Sequence, residues 1–225
     1  NCGSTSPETL KEQIVKGNYD IGIAFDGDGD RILIISSDGT ILDGDDILYI
    51  LSKQIPDDSG IVGTLMTNKS LEIYFQENKI DFFRADVGDK YVLQKLTEKA
   101  WCLGGEPSGH IICLDAAQTG DAIIAALKVL DAIKDEGFSL GRALEEFEKY
   151  PQTLINLKVD NPNRIILSDK FWQKVTDIEF QLGLEGRVLI RPSGTEPLIR
   201  IMVEAREQKI SDSLCNVLAD LAQTI

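Results

Sequence analysis

Asp26, Asp28 and Asp30 alternate with glycines directly after an apolar stretch at residues 21–25. Carboxylates about 4 Å apart repel each other by roughly 4 kcal/mol at an effective dielectric near 20. A cation relieves that repulsion, and ligands that are all oxygen suit a hard divalent ion such as Mg²⁺ or Ca²⁺. An EF-hand is excluded because Arg31 stands where that loop requires glycine. We therefore predict that this segment, the Asp loop (residues 26–31), binds Mg²⁺, with an acidic solvated turn as the alternative.

A second polar segment, the Gly-rich loop (residues 104–110), carries Glu106, Ser108 and His110 among three glycines. A carboxylate, a hydroxyl and an imidazole can together donate and accept hydrogen bonds, which suits a ligand with many hydroxyl groups. Glycine-rich loops are common, and a lone histidine often has a structural role. On its own, this segment does not decide between a sugar-binding loop and an ordinary turn.

A third segment, the Arg loop (residues 191–200), combines two arginines with two hydroxyl side chains and a glycine. The candidate ligand-binding residues are Arg191, Ser193, Gly194, Thr195 and Arg200. Arginine binds phosphate oxygens through a planar fork of donors, and backbone N–H groups around a glycine add further donors. The chemistry of these residues favours phosphate binding over a hairpin with incidental surface arginines.

A weaker signal is the charged pair Asp89 and Lys90, which opens a predicted helix. Asp89 is placed where it could cap that helix. A role of the pair in proton transfer is the other interpretation, and we include both residues among the candidate catalytic residues.

The composition limits the classes of partner. The chain has 225 residues and a net charge of −14, which disfavours a nucleic-acid surface or an anionic membrane. An anionic substrate must then be held by local arginines or by a metal ion. The four cysteines fit no metal or redox spacing, which indicates reduced thiols in a cytoplasmic protein. No apolar run reaches the length of a membrane span.

Apolar periodicity and turn residues predict three successive units, with boundaries near residues 55 and 150. In residues 1–55 we predict helices at 8–16 and after a cap at 43–46, and strands at 21–25, 32–35 and 41–42. In residues 56–150 we predict strands at 61–65, 81–85, 101–103 and 111–114, and helices at 70–78, 89–99, 119–134 and 139–150. In residues 151–225 we predict strands at 155–159, 187–190 and 198–205, and helices at 168–182 and 208–225. The fold class is α/β, with layered α/β domains followed by a small α+β domain that has an antiparallel sheet.

In this order, the three loops resemble the α-D-phosphohexomutase superfamily, and within it the subfamily of bacterial phosphoglucosamine mutases. The subfamily resemblance rests on residues 1–5, 62–66, 87–92 and 191–200 and extends over essentially the whole chain. It implies that residues 1–55 are the second half of domain two, residues 56–150 domain three and residues 151–225 domain four. The chain departs from the family in having no Thr-Ala-Ser-His-Asn-Pro-like loop, where the family carries its phosphoserine.

The resemblance implies an intramolecular phosphotransferase of amino-sugar metabolism that supplies cell-wall precursors in the cytoplasm. It would interconvert glucosamine 6-phosphate and glucosamine 1-phosphate through a phosphoserine and a bound 1,6-bisphosphate. Glucose or glucosamine 1,6-bisphosphate would serve as activator or intermediate. Because the carrier serine is absent, we expect this chain to be inactive alone. A phosphomannomutase or phosphoglucomutase, and a non-catalytic phosphosugar-binding module, are the alternatives, and a homodimer is left open.

The resemblance also implies roles for individual residues. Mg²⁺ would lie on Asp26, Asp28 and Asp30, with Arg31 beside the transferring phosphoryl group. Glu106, Ser108 and His110 would contact the sugar. The candidates of the Arg loop would hold the phosphate that is not reacting.

Overall fold

The computed structural model describes residues 2–193 and 196–225. The chain divides into two compact units, residues 1–148 and residues 149–225. The division between the compact units lies near residue 150, and the assignment of the predicted domains to these residues stays a prediction.

The first sheet of unit 1 is antiparallel and is built from one hairpin and a short third strand. Its elements are α1 (Glu8–Gly17), β1 (Ile21–Phe25), β2 (Ile32–Ser36), β3 (Ile41–Leu42) and α2 (Gly44–Ser52). The strand order is β1-β2-β3, and Phe25 pairs with Ile32, so the Asp loop closes the first hairpin. Asp43 and Asp46 form a reciprocal capping box that starts α2. These elements confirm the predicted ones.

The second sheet of unit 1 is mixed. Its strands are β4 (Gly60–Thr64), β5 (Asp81–Ala85), β6 (Leu103–Gly105) and β7 (Ile111–Cys113), and its helices are α3 (Lys69–Glu77), α4 (Asp89–Lys99), α5 (Ala122–Ala132) and α6 (Leu140–Ala143). In the order β5-β4-β6-β7, β4 is parallel to β5 and β6, and β7 is antiparallel. Parallel strands end at one edge of a sheet, so the loops after β4, β5 and β6 meet there.

One hydrophobic core serves both sheets of unit 1. Ile34 from β2, Leu48 from α2, Phe75 from α3 and Ala125 from α5 belong to the same buried cluster. The predicted division near residue 55 thus separates the two sheets, while the core continues across it. The division into separate domains at that position stays a prediction.

Three predicted elements of unit 1 have bounds that are wrong by two residues or more. The strand predicted at 101–103 lies at Leu103–Gly105. The helix predicted from residue 119 begins at Ala122, because the Asp121 side chain accepts hydrogen bonds from the backbone N–H groups of Ile123 and Ile124. The helix predicted from Ser139 to residue 150 ends at Ala143. The acidic residues that follow would be repelled by the negative C-terminal end of a helix dipole. In the structure, the Phe147 ring stacks on the Tyr49 ring, with ring centroids 4.6 Å apart.

Unit 2 is a small α+β domain, as predicted. Its elements are β8 (Gln152–Lys158), α7 (Pro162–Ile166), α8 (Asp169–Leu182), β9 (Gly186–Pro192), β10 (Leu198–Ala205) and α9 (Gln208–Gln223), of which α7 was not predicted. The sheet is antiparallel in the order β8-β10-β9. Ile199, Ile201 and Val203 on one face of β10 share a core with helix residues such as Phe171 and Leu218.

All four cysteines are free. Burial raises the pKa of Cys113 and of Cys215 to about 11, so both thiols stay protonated near neutral pH. In the part of the chain that the structure describes, no helix is long and apolar enough to span a membrane.

The face of β10 opposite its core carries a buried carboxylate, that of Glu204. Glu204 is 0% exposed. Its carboxylate is held by Arg187 on the neighbouring strand, with Nε 2.7 Å from Oε2 and Nη2 3.1 Å from Oε1. The two guanidinium donors of Arg187 take the place of hydrogen bonds from water, and they thereby stabilise the buried carboxylate.

Loss of Arg187 should destabilise unit 2 far more than loss of an exposed arginine. Arg187→Ala leaves a buried carboxylate without its main partner, so we expect the free energy of unfolding to fall by about 3–5 kcal/mol. Arg206→Ala removes an exposed ion pair with Glu185 at 3.0 Å and should cost less than about 1 kcal/mol. Urea unfolding in a Trp101→Phe background reports unit 2 through Trp172 fluorescence. Equal effects of the two substitutions would show that the Glu204 pair is not a major contributor.

Candidate functional site

The Asp loop is wound around one carboxylate. Asp26 Oδ1 accepts hydrogen bonds from the backbone N–H groups of Gly29 at 3.0 Å, Asp30 at 3.3 Å and Arg31 at 3.3 Å. The Arg31 guanidinium Nε lies 3.5 Å from Asp26 Oδ2. Burial acts to raise the pKa of Asp26, but hydrogen bonds from the loop backbone hold that pKa below its usual value. Asp26 therefore stays ionised and fixes the shape of the loop.

The other two aspartates of the loop lie in different surroundings. Asp30 Oδ2 is 3.2 Å from His110 Nδ1, whereas Asp30 Oδ1 is buried and has no hydrogen-bond partner among the described residues. Asp28 is exposed. Within residues 2–193 and 196–225, no group of three or more His, Cys, Asp or Glu side chains is arranged to hold a metal ion. The oxygen donors and the unpartnered Asp30 oxygen fit a hard cation, and the assignment of Mg²⁺ to the three aspartates stays a prediction.

The Gly-rich loop lies at the carboxyl edge of the second sheet. Glu106 Oε1 accepts a hydrogen bond from the backbone N–H of Gly88 at 2.9 Å, and Gly88 is the residue that caps α4. The positive end of the helix dipole stabilises a carboxylate in this position. Ser108 is exposed in the same loop. Glu106 is therefore held by one oxygen, while Ser108 is accessible to a ligand.

Backbone hydrogen bonds join the Asp loop to the Gly-rich loop. Arg31 and His110 form an isolated antiparallel bridge, and the Ile32 N–H donates to Gly109 O at 3.0 Å. On the other side of the Asp loop, the Ala122 N–H donates to Gly29 O at 3.0 Å. The structure thus brings together two motifs that the sequence identified separately.

The N-terminus of α2 supports both loops, which the sequence analysis did not foresee. The Gly44 N–H donates to Pro107 O at 3.2 Å, and Asp45 Oδ2 accepts from the Asn68 N–H at 2.9 Å. A Cβ on Gly44 would lie 1.9 Å from Glu106 O, so this position requires glycine. The only local signal was a glycine between aspartates at the start of a predicted helix.

Asp89 and Lys90 lie in the first turn of α4, and both are exposed. Asp89 does not cap the helix, because Gly88 is the N-cap residue and no side-chain cap bond is formed. Lys90 Nζ lies 4.6 Å from the centroid of the Tyr91 ring. The proposed role of this pair in proton transfer stays a prediction.

In unit 2, Arg191 and Arg200 are directly opposite each other on β9 and β10. Like charges at such a pair destabilise a sheet, and neither guanidinium has an ion-pair partner among the described residues. In the loop between the strands, Ser193 N–H donates to Leu198 O at 2.9 Å. Gly194 and Thr195 lie outside the described residues. Two neighbouring arginines that have no carboxylate partner in residues 2–193 and 196–225 are suited to a bound anion.

Unit 1 is thus an α/β unit in which two polar loops meet at strand ends, where proteins of this class form ligand sites. Comparison with protein families gives two adjacent matches. The model for phosphoglucomutase/phosphomannomutase, alpha/beta/alpha domain III, matches residues 43–150, and the model for the C-terminal domain of the same family matches residues 154–221. The chain belongs to the phosphoglucomutase/phosphomannomutase family.

Curated relatives agree with this assignment. A phosphoglucosamine mutase of Janthinobacterium sp. is 45% identical over 225 residues, covering 96% of this chain and 49% of the relative. A phosphoglucosamine mutase of Psychrobacter cryohalolentis is 46% identical over 231 residues, covering 100% of this chain and 50% of the relative. The chain thus spans about half the length of the curated relatives it matches.

Solved structures show the same fold. A phosphoglucomutase/phosphomannomutase family protein of Burkholderia thailandensis has a TM-score of 0.78 at 23% identity, covering 98% of this chain and 51% of that one. The N-acetylphosphoglucosamine mutase of Aspergillus fumigatus, solved with GlcNAc-6P and magnesium, has a TM-score of 0.73 at 19% identity, covering 97% of this chain and 56% of that one. At these identities the likeness establishes the fold alone.

Substitution of Gly44 should loosen the Gly-rich loop. In Gly44→Ala the new Cβ must displace the Glu106 carbonyl, and overpacking of this kind costs about 1–3 kcal/mol. Gly141→Ala is the matched control, because its Cβ would meet only Ser139 Oγ at 3.9 Å and should stabilise α6 by roughly 0.5–1 kcal/mol. Thermal melts and hydrogen exchange of residues 104–110 measure both effects. Unchanged exchange in Gly44→Ala would contradict the close contact between α2 and the Gly-rich loop.

Proposed function

We propose that this chain forms the later domains of a phosphosugar mutase that interconverts glucosamine 6-phosphate and glucosamine 1-phosphate. The reaction would pass through a phosphoserine enzyme and a bound 1,6-bisphosphate. The observation that carries the proposal is the direct attachment of an aspartate-rich loop to a loop suited to hydroxyl groups. Relatives of 45% and 46% identity that are named phosphoglucosamine mutase support the substrate class.

In the proposed site, Asp26, Asp28 and Asp30 would hold Mg²⁺. When bound, the ion would neutralise charge on the transferring phosphoryl group, because phosphoryl transfer depends chiefly on positioning and electrostatic stabilisation. Arg31 extends from the same loop and would contact the phosphoryl oxygens. Of the Arg31 guanidinium, Nε lies near Asp26, at 3.5 Å from Oδ2, and the side chain is half-exposed. Its other N–H donors could therefore bind a ligand.

The sugar would be bound by the Gly-rich loop. Glu106 would accept hydrogen bonds from sugar hydroxyls, since the Gly88 N–H occupies only one of its oxygens. Ser108 is exposed and both donates and accepts, so it would bind hydroxyls in either orientation of the sugar. His110 was predicted to contact the sugar as well. The residue is only 4% exposed, and this contact stays a prediction.

Other residues would bind the second phosphate and exchange protons with the sugar. Arg191, Ser193, Gly194, Thr195 and Arg200 would hold the phosphate that is not reacting, with the two arginines supplying charge-assisted hydrogen bonds. Asp89 and Lys90 are exposed at the start of α4, where they would exchange protons with sugar hydroxyls. We place the enzyme in the cytoplasm, with a homodimer as a further prediction.

A phosphomannomutase or phosphoglucomutase is the second candidate, because the matching family models describe both activities. A non-catalytic phosphosugar-binding module is the third, because the chain has no Thr-Ala-Ser-His-Asn-Pro-like loop. The second candidate differs from the proposal in substrate, and the third differs in having no turnover under any condition.

A chimera separates these candidates. The part of the Janthinobacterium relative that this chain does not match would be joined to the 225-residue chain. We expect the chain alone to show no turnover, and the chimera with a sugar bisphosphate to convert glucosamine 6-phosphate faster than mannose or glucose phosphates. A preference for a hexose phosphate would favour the second candidate. An inactive but folded chimera that still binds phosphosugar would favour the third, and turnover by the chain alone would refute the expectation that it lacks the carrier.

Arg200 offers a test of the phosphate site. A charge-assisted hydrogen bond contributes about 1.5–3 kcal/mol, so Arg200→Ala should weaken binding of glucosamine 6-phosphate to the chimera by roughly ten- to a hundredfold. Arg200→Lys should recover part of the loss, because an ammonium group cannot form the bidentate fork. Arg206→Ala is the charge-matched control. Calorimetric titration measures affinity and thermal melts report folding, and unchanged affinity in Arg200→Ala would remove Arg200 from the site.

A further inference from the structure

The solvent face of the unit 2 sheet carries a third cation near the Arg loop. Arg200 lies opposite Arg191 on one neighbouring strand and opposite Asn156 on the other. Residues directly opposite each other in an antiparallel sheet have side chains on the same face, as have residues two positions apart along a strand. Lys158 lies two positions after Asn156, so its side chain is on the face that carries both arginines.

Lys158 is also close enough to contact the same ligand as Arg200. It lies opposite Leu198, which places it diagonal to Arg200 across the strand pair. Diagonal neighbours of this kind are about 7–8 Å apart, within the reach of long side chains. The Val159 N–H donates to Pro197 O at 3.1 Å, so the end of β8 is bonded directly to the Arg loop.

The charges at this end of the face are not neutralised by the described part of unit 2. Lys158 and Arg200 are exposed, and neither they nor Arg191 have an ion-pair partner among the described residues. At the other end of the same face, Arg187 is paired with the buried carboxylate of Glu204. Three like charges on adjacent strands repel each other, and an anion bound between them would relieve that repulsion.

The neighbours of Lys158 suit an anion as well. Asn156 is exposed opposite Arg200, and its amide group can donate two hydrogen bonds. Asp160 and Glu196 are the carboxylates nearest to these residues along the chain, and neither has an ion-pair partner in the part of the chain that the structure describes. This end of the face therefore offers three cations and an amide donor to a ligand.

We propose that Lys158 is a third cationic ligand of the phosphate that Arg191 and Arg200 hold, and that Asn156 donates to the same group. The proposal rests on the proposed function to the extent that the two arginines bind a phosphate. A phosphate monoester carries a charge of about −1.5 to −2 near neutral pH and has three terminal oxygens. A carboxylate offers one charge and two oxygens. Three cations on one face therefore make the site selective for a dianion.

The first test is calorimetric titration of the chimera with glucosamine 6-phosphate, with thermal melts to verify folding. Lys158→Ala should weaken binding by roughly tenfold, because a charge-assisted hydrogen bond is lost, and Lys158→Arg should retain most of the affinity. Lys170→Ala is the matched control, since Lys170 is an exposed lysine of α8, the helix packed on the other face of the sheet. Unchanged affinity in Lys158→Ala, or an equal loss in Lys170→Ala, would overturn the proposal.

A change of charge on the ligand separates a direct contact from a structural effect. Glucosamine 6-sulfate has three terminal oxygens like glucosamine 6-phosphate, but it carries a single negative charge. We expect Lys158→Ala to lower the affinity for the phosphate more than the affinity for the sulfate, because the third cation matches the second charge. A structural role of Lys158 would lower both affinities by the same factor, and that result would contradict the proposal.

The last test needs only the 225-residue chain, in ¹H–¹⁵N spectra titrated with glucosamine 6-phosphate. We expect the backbone signals of Asn156, Lys158 and Arg200 to move with one common affinity. If Arg200 moves without the two residues of β8, the phosphate site stands and the proposal is wrong. If no signal of unit 2 moves, the phosphate assignment fails and the proposal fails with it. An inactive chimera whose binding of phosphosugar still depends on Lys158 would refute the mutase activity and support the proposal.

Discussion

A hydrogen bond from the Ile32 N–H to Gly109 O, 3.0 Å long, joins the start of β2 to the end of the Gly-rich loop. Around it, the two sheets of unit 1 share one hydrophobic core, so neither sheet can shift without disturbing buried side chains. The packing beneath the polar loops therefore fixes the distance between them. This is why flexible glycine-rich segments can present carboxylates in a defined arrangement, with Asp26 wound into its own backbone and Asp30 held by His110.

The two units preorganise charge in different ways. In unit 1, three aspartates lie on a tight turn, and backbone N–H groups donate to Asp26, which keeps the pKa of Asp26 low although burial opposes it. In unit 2, Arg191 and Arg200 stand on regular neighbouring strands, whose pairing fixes their spacing. The chain has a net charge of −14, whereas these two adjacent arginines have no ion-pair partner in the described residues. They therefore form a local patch of positive charge on an acidic protein.

Local signals in the sequence predicted local structure well. The strand at Asp81–Ala85 and the helix at Asp89–Lys99 have the predicted bounds, because apolar periodicity and flanking turn residues agree there. The helix predicted from Ser139 was too long, because the stacking of Phe147 on Tyr49 decides the course of the chain. Nor could periodicity show that Glu204 is buried, since its partner Arg187 lies on another strand and only the sheet register brings the two together.

The candidate site also shows that local sequence patterns do not predict contacts between distant parts of the chain. Residue types and spacing identified the Asp loop, the Gly-rich loop and the Arg loop as separate motifs, because each motif is continuous in sequence. The contact between Asp30 and His110 joins positions 80 residues apart, and no local pattern encodes it. It arises because β1 and β6 both end at the place where the core brings their sheets together. The fold thus places His110, a candidate sugar ligand in the sequence, against an aspartate of another motif, and this placement follows from packing rather than from the chemistry of the histidine.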